Sequence, residues 1–249
     1  MRRTSIVFRR DLRELRRTNA FRIVVIVFAV ITIGIAVGTS VALGRAEWLG
    51  VEAAKPHLEL IIGIIVYFLT LSVLISFIWV FAIVSITKEK VNGNIESLLA
   101  TPLSPKAIWM GKGLAIFLPG FVIAIVSTLV VVLAVNFAAI IPAAGNFFLP
   151  APVFLTGFLI NPLLFFGLTS FTILFSLANN PDIAVVPSFL LGFGLMIGIP
   201  VGVATGAIDL ASWSFALYYL AGAIVVWAVI CYLSRLLTKE KIVLSSKGG

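Results

Sequence analysis

The sequence predicts an all-α polytopic membrane protein with six transmembrane helices. Of its 249 residues, 61% are apolar and 11% are charged, against roughly 45–50% and 25% in an ordinary soluble domain. The apolar residues form six uncharged runs, each long enough to cross roughly 30 Å of hydrocarbon at about 1.5 Å per residue. Because lipid offers no partner to backbone N–H and C=O groups, each run is expected to be helical.

In chain order the predicted spans are 23–43, 60–86, 113–135, 153–177, 183–206 and 213–233. The first run is too long for a signal peptide and no small-residue cleavage site follows it, so we interpret it as a retained span. The single cysteine, Cys231, lies in the last span and excludes an internal disulfide or a cysteine metal cluster. The whole chain, 1–249, is expected to form one transmembrane domain.

The distribution of lysine and arginine predicts the orientation. Sixteen of them lie in the segments before residue 23, between 88 and 112 and from 235 onward, whereas the other side has only Arg45 and Lys55. This positive-inside asymmetry places both termini in the cytosol. The net charge of +8 then reflects topology and attraction to anionic lipid headgroups, and no nucleic-acid partner is expected.

Residues 4–20 are predicted to form an amphipathic helix. At about 100° per residue, Phe8, Leu12 and Leu15 share one narrow face. The opposite side carries arginines, namely Arg9, Arg10, Arg13, Arg16 and Arg17. Such a helix is expected to lie along the inner membrane surface with its apolar face down. The alternative is a basic segment that only sets the topology.

The segment 87–112 is the longest predicted cytosolic connection. Gly93 interrupts the helical pattern, and residues 94–100 are predicted to form a short helix with Glu96 in its first turn, where a carboxylate is favourable. Thr101-Pro102 ends this helix, since the residue before proline avoids helical geometry. Ser104-Pro105 is typical of the cap and first position of the next helix.

The predicted short helix has an apolar face outside the membrane. This face is formed by Ile95, Leu98 and Leu99, and exposed apolar groups of this kind indicate a partner. A helix-in-groove contact with a cytosolic subunit would bury them. The alternative is that the face rests on lipid headgroups.

Two groups of residues within the spans suggest either packing or a transport path. In the second span Ser72, Ser76 and Trp79 share a face. In the fifth, small residues recur every fourth position, at Gly194, Gly198, Gly202 and Gly206, which allows another backbone to approach closely. Both patterns fit packing inside one subunit. They also fit a path or a seam at the axis of a dimer.

Several functional classes are disfavoured by missing residues. The predicted spans contain no Asp, Glu, Lys, Arg or His, so there is no evident intramembrane proton relay. No nucleophile with a base and no cluster of metal ligands occurs in them, and we expect neither catalytic nor metal-binding residues. The pattern G-x-x-x-x-G-K-[ST] is absent, so active transport would need ATP binding by a second polypeptide.

The stretch 88–102, followed by Gly111-Lys112, resembles the signature of type-2 ABC transporter permeases. In that family an acidic and basic cluster, Gly-Thr, an apolar residue, Glu, a Leu pair and Thr-Pro follow the second span. The matching positions are Glu89, Gly93, Glu96, Leu98, Leu99, Thr101, Pro102, Gly111 and Lys112. Val91 replaces a second acidic residue and Asn94 replaces the usual Thr.

The resemblance implies a six-helix exporter fold with an N-terminal elbow helix and a cytosolic coupling helix. It implies two paired permeases, each engaging a separate cytosolic ABC ATPase that binds ATP and Mg, with no cofactor in this chain. The implied coupling residues are Glu89, Gly93, Ile95, Glu96, Leu98, Leu99, Thr101 and Pro102. The expected function is export by alternating access across the plasma membrane of a prokaryotic cell.

Two other functions remain open at this point. A passive channel or ion-coupled carrier would transport its substrate without ATP. A non-transporting membrane anchor would recruit an ATPase and show no flux after reconstitution. The substrate is not indicated, although spans without charge favour lipid-like or hydrophobic cargo.

Overall fold

A computed structural model describes residues 2–46, 49, 54–82, 103–178 and 181–235. Within these ranges the chain is helical and forms no strand. The helices are α1 (Arg2–Arg17), α2 (Asn19–Gly44), α3 (Lys55–Ala82), α4 (Pro105–Ala144), α5 (Ala151–Leu177), α6 (Pro181–Ala204) and α7 (Trp213–Arg235). All except α1 are long and apolar enough to cross a membrane. The prediction of six spans is therefore confirmed, and the chain is a helical membrane protein.

The helix α4 differs most from its predicted span. It begins at Pro105 and continues to Ala144, whereas the predicted span extends only from 113 to 135. The span was predicted to start after Lys112 because that residue is charged, although Ser104-Pro105 predicted an earlier start for the helix itself. The structure buries Lys112 within the bundle. The expected end was early because Asn136 opens a π-helical turn that continues the helix, Asn136–Ile140.

Capping side chains fix the start of α2 and of α4. The hydroxyl of Ser104 accepts a hydrogen bond from the backbone N–H of Ala107 at 3.3 Å, and Pro105 occupies the first turn, as predicted. Thr18 caps α2 by accepting from the N–H of Phe21 at 3.2 Å. The same hydroxyl donates to the carbonyl of Leu15 at 2.7 Å. One side chain thus ends α1 and starts α2, and its extended backbone redirects the chain.

The bundle is organised around α3 and α5, whose residues are the most buried of the six long helices. α4 runs antiparallel to α3: Thr70 and Thr128 share a hydrogen bond of 3.0 Å, and Phe77 packs against Gly120 nearer the α1 end. The peripheral helices α2, α6 and α7 leave long apolar faces exposed. Such faces suit lipid or another protein within the membrane.

The buried apolar residues form two clusters. One begins at the α1 end, where it includes Leu15, Phe28, Phe77 and Trp109, and continues through the bundle to Leu210. The other is richer in valine and includes Leu43, Leu58, Val131, Val135 and Val153. The N-terminal helix therefore shares a core with the membrane helices.

Three of the long helices contain a π-helical turn, at Ile78–Ala82, Asn136–Ile140 and Thr156–Ile160. Turns of this kind interrupt the regular i→i−4 bonding and are frequent at functional sites. The turn at Ile78–Ala82 directly precedes the segment that contains the predicted coupling residues. Among the described residues, this turn is therefore the last part of α3 before the segment.

Candidate functional site

The predicted ATPase-coupling residues all lie between 83 and 102, outside the described residues. They are Glu89, Gly93, Ile95, Glu96, Leu98, Leu99, Thr101 and Pro102. Their role therefore stays a prediction. The structure describes the two positions that flank this segment: Ala82, buried at the end of α3, and Leu103, which packs on the core cluster at the α1 end. Both ends of the segment are thus attached to the same packed region.

The N-terminal helix α1 docks on the beginning of α4. Val7 and Leu15 are buried, at 2% and 8% exposure, whereas Phe8 and Leu12 are only half-buried. The predicted arginines Arg9, Arg13 and Arg16 are exposed. The apolar face thus has a protein partner for part of its width, and a lipid contact stays a prediction for Phe8 and Leu12.

An ion pair lies at the centre of the docked face. Asp11 Oδ2 accepts a hydrogen bond from Lys112 Nζ at 3.1 Å, and Asp11 Oδ1 accepts one from Arg10 Nε at 2.8 Å. Lys112 is only 1% exposed. A buried lysine needs such a partner because an uncompensated charge away from water is very unfavourable.

Gly111 provides the close approach between α1 and α4. A Cβ atom at this position would lie 2.8 Å from Val7 Cβ and 3.1 Å from the carbonyl oxygen of Thr4, closer than side chains tolerate. In this structure the Gly111-Lys112 pair therefore holds α1. Sequence reasoning quoted this pair only as a motif match. A lysine next to an apolar span and a single aspartate in a basic helix were the available signals.

The predicted path residues Ser72 and Ser76 use their hydroxyls within their own helix. Ser72 Oγ donates to the carbonyl of Phe68 at 2.7 Å, and Ser76 Oγ donates to the carbonyl of Ser72 at 2.8 Å. This back-bonding is common for hydroxyls in membrane helices. Both side chains are half-buried. The arrangement supports packing, because the hydroxyl protons at these two positions are used within α3.

Trp79, the third member of that face, joins α3 to α6. Its ring stacks on Phe189 with centroids 4.5 Å apart and planes at 4°, and it contacts Phe193 at 4.8 Å. Gly192 lies beneath it, because a Cβ there would be 3.2 Å from the indole. Trp79 sits in the π-helical turn Ile78–Ala82, so this turn is packed directly on α6.

The four glycines of the fifth span divide into two groups. Gly194 and Gly198 are exposed and face open space. Gly202 packs against Ile208 of the same chain, where a Cβ would contact the Ile208 side chain. Gly206 has a φ of 73° and follows the end of α6, a conformation that favours glycine. Within the helix α6 itself, Gly194 and Gly198 are therefore the two glycines of this set that are open to a seam with another subunit.

A polar group that sequence reasoning missed joins three helices. Tyr219 Oη donates to Asn161 Oδ1 at 2.7 Å, linking α7 to α5. Asn161 Nδ2 donates to the carbonyl of Tyr67 in α3 at 3.2 Å. Asn161 is fully buried, and the Tyr67, Tyr219 and Phe215 rings contact one another. An asparagine within a predicted span was the available signal.

No family model, curated protein or solved structure matches the chain in these comparisons. Over the described ranges, no group of three or more His, Cys, Asp or Glu residues is placed to hold a metal ion. The fold itself defines the class, a helical membrane protein with six long apolar helices. Its N-terminal helix is fastened to the fourth helix of the chain by an ion pair.

Proposed function

We propose that the chain is the permease subunit of an ATP-binding cassette exporter, driven by a separate cytosolic ATPase that binds ATP and Mg. The observation that carries this proposal is the resemblance of the stretch 88–102 to the type-2 permease signature. Its position after the second long apolar helix supports the proposal. Under this proposal both termini and the segment 83–102 face the cytosol of the cell, and the bundle lies in the plasma membrane.

The contacts around the ends of that segment suggest how movement would spread. α3 is central and its π-helical turn is stacked on α6 through Trp79. α4 is capped by Ser104 and is bound to α1 through Lys112. A displacement of the short predicted helix would therefore act on α3, α4, α6 and α1 together. Coupling requires that the ATPase bind this helix differently in the inward-facing and outward-facing states.

The exposed face of α6 supports pairing with a second copy. Of the six long helices α6 is the least buried, and Leu190, Ile197 and Val201 surround the open Gly194 and Gly198. Small residues on such a face permit close helix–helix contact in lipid. In this arrangement the α6 helices of two permeases line the dimer axis.

Cysteine cross-linking tests whether the exposed face of α6 contacts a second copy of the chain or only lipid. We expect Gly198→Cys to give a covalent dimer in membranes treated with oxidant, because this position faces open space. Gly202→Cys is the matched control and should give none, since Ile208 of the same chain covers it. Cys231, which is exposed, is first replaced by serine in both variants. Equal cross-linking at the two positions would contradict the seam.

The coupling proposal predicts loss of a partner ATPase in a Leu98→Asp/Leu99→Asp variant. Each leucine buried at an interface contributes about 1.5–3 kcal/mol, so the double change should weaken association by at least about a hundredfold. The measurement is Mg-dependent ATP hydrolysis that co-purifies with the full-length chain from its native membrane. The matched control is Leu98→Ile/Leu99→Ile, which should retain the activity.

A second variant separates docking from coupling. Glu96→Ala should keep the co-purifying ATPase but lose the stimulation of hydrolysis by transported substrate. Unchanged ATPase recovery in the double-aspartate variant would contradict the docking helix. Reconstituted flux without ATP would instead favour a channel or ion-coupled carrier. A co-purifying ATPase without any flux would favour the non-transporting anchor.

A further inference from the structure

We propose that Arg9, Arg13 and Arg16 form a binding surface for the phosphate groups of anionic phospholipids. The three residues lie at positions i, i+4 and i+7 of α1, so they form one row along the helix. All three are exposed. We call these three residues the arginine row.

The contact between α1 and α4 determines which way the arginine row faces. The docked face is centred on Asp11, whose carboxylate binds Lys112 of α4. At about 100° per residue, Arg9 and Arg13 lie about 160° around the helix from Asp11. Arg16 lies about 140° from Asp11, so the arginine row as a whole faces away from the docked side of α1.

The two flanks of α1 differ in polarity, and the arginine row lies between them. One flank carries Phe8 and Leu12, which are only half-buried by protein. The other carries the exposed Glu14 and Arg17, with the exposed Ile6 at its border with the row. With the apolar flank turned toward the acyl chains, the row lies at the depth of the headgroups, where long basic side chains extend to phosphate. The short connection through Thr18 to α2 keeps α1 at this end of the bundle.

The arginine row has no internal counter-charge in the part of the chain that is described. Arg9, Arg13 and Arg16 make no ion pair or side-chain hydrogen bond with any described residue. The nearby carboxylate of Asp11 is bound by Lys112 and Arg10. Guanidinium groups suit phosphate because they present a planar fork of donors. An apolar flank beside the row favours a lipid surface over a free anion or a nucleic acid.

The test uses the purified full-length chain in zwitterionic detergent micelles and does not depend on any ATPase. Short-chain phosphatidylglycerol is titrated and its dissociation constant measured by a fluorescent label on the lipid headgroup. We expect the Arg9→Gln/Arg13→Gln/Arg16→Gln variant to bind roughly a hundredfold more weakly, from the attraction of about three basic side chains to an anionic surface. The loss should shrink as salt is raised, because exposed charges are screened.

Control variants and competing ligands show whether binding depends on the arginine row itself, on positive charge in general or on a folding defect. The Arg9→Lys/Arg13→Lys/Arg16→Lys variant should bind within about tenfold of the parent, because lysine keeps the charge and loses the forked geometry. Arg235→Gln, which removes one exposed arginine at the end of α7, should leave binding unchanged. Short-chain phosphatidylcholine and inorganic phosphate should compete poorly. Equal binding of phosphatidylglycerol by the parent and the folded triple-glutamine variant, or full competition by inorganic phosphate, would overturn the proposal.

Discussion

Asp11→Ala is expected to lower the free energy of unfolding by about 3 kcal/mol, because it removes the carboxylate that pairs with the buried charge of Lys112. Lys112 is 1% exposed and lies 3.1 Å from Asp11 Oδ2. Water cannot easily replace the lost partner at such a buried position. The variant should release α1 from α4 before the membrane helices separate, since the packing of Val7 and Leu15 is then the main contact that holds α1.

Reversible unfolding in mixed detergent micelles measures this effect. Glu14→Ala is the matched control: it removes an exposed carboxylate from the same helix and should change the stability by less than about 0.5 kcal/mol. Asp11→Leu/Lys112→Met removes both charges and should recover most of the loss, since apolar replacement of a buried pair is often neutral. If Asp11→Ala and Glu14→Ala behave alike, the ion pair does not hold α1.

The consequence of this ion pair reaches the proposed coupling segment. Lys112 and the Ser104 cap belong to the same first turns of α4, directly after the residues expected to bind the ATPase. α1 is therefore attached to the helix that would receive the movement. If the arginine row binds lipid, α1 would also anchor this end of α4 to the headgroup layer.

The membrane helices were predictable because lipid imposes a simple rule on the sequence. Uncharged runs of sufficient length gave six helices in the expected order, and Ser104-Pro105 gave the start of α4. The same rule started the span of α4 too late, because it treats every charged residue as a boundary, and it gave no sign that the helix continues through Asn136. Lys112 can be buried within a long helix because its charge is paired with that of Asp11, which lies 101 residues earlier in the chain.

The faces of the helices were harder to predict than the helices themselves. Phe8, Leu12 and Leu15 predicted one apolar side of α1, but only Leu15 of the three is buried, and the docked face is centred on Asp11, for which no partner was predicted. A sequence shows that a serine shares a helix face, but not that Ser72 bonds its own backbone. In the same way, four evenly spaced glycines gave no sign that Gly202 is covered by Ile208.

Asn161, which joins three helices of the bundle, was not predicted as a site residue. A single asparagine in a predicted span forms no periodic pattern that would mark it. Asn161 accepts from Tyr219 and donates to the backbone of Tyr67, which connects α7, α5 and α3. Its position between the helices that pack side by side makes it a structural node. Whatever moves in the bundle, α3, α5 and α7 are expected to move as one group.

Asn161→Ala is expected to lower the free energy of unfolding by about 2–3 kcal/mol. Hydrogen bonds between membrane helices contribute roughly 0.6 kcal/mol on average and up to about 1.7. The change also leaves the Tyr219 hydroxyl without a partner in a buried position, which adds about 1–3 kcal/mol. Unfolding of the purified chain in mixed micelles measures the loss.

Two tyrosine variants show whether the loss comes from this node. Tyr219→Phe removes the donor to Asn161 and should destabilise by about 1 kcal/mol, whereas Tyr218→Phe, at a side chain 81% exposed, should have no effect. In the Asn161→Ala background, Tyr219→Phe should cost nothing further and should recover part of the loss, because it removes the hydroxyl that the first change leaves buried and unpaired. Additive losses in the double variant would show that Asn161 and Tyr219 stabilise the bundle independently, which would contradict the shared hydrogen bond as the source of the effect.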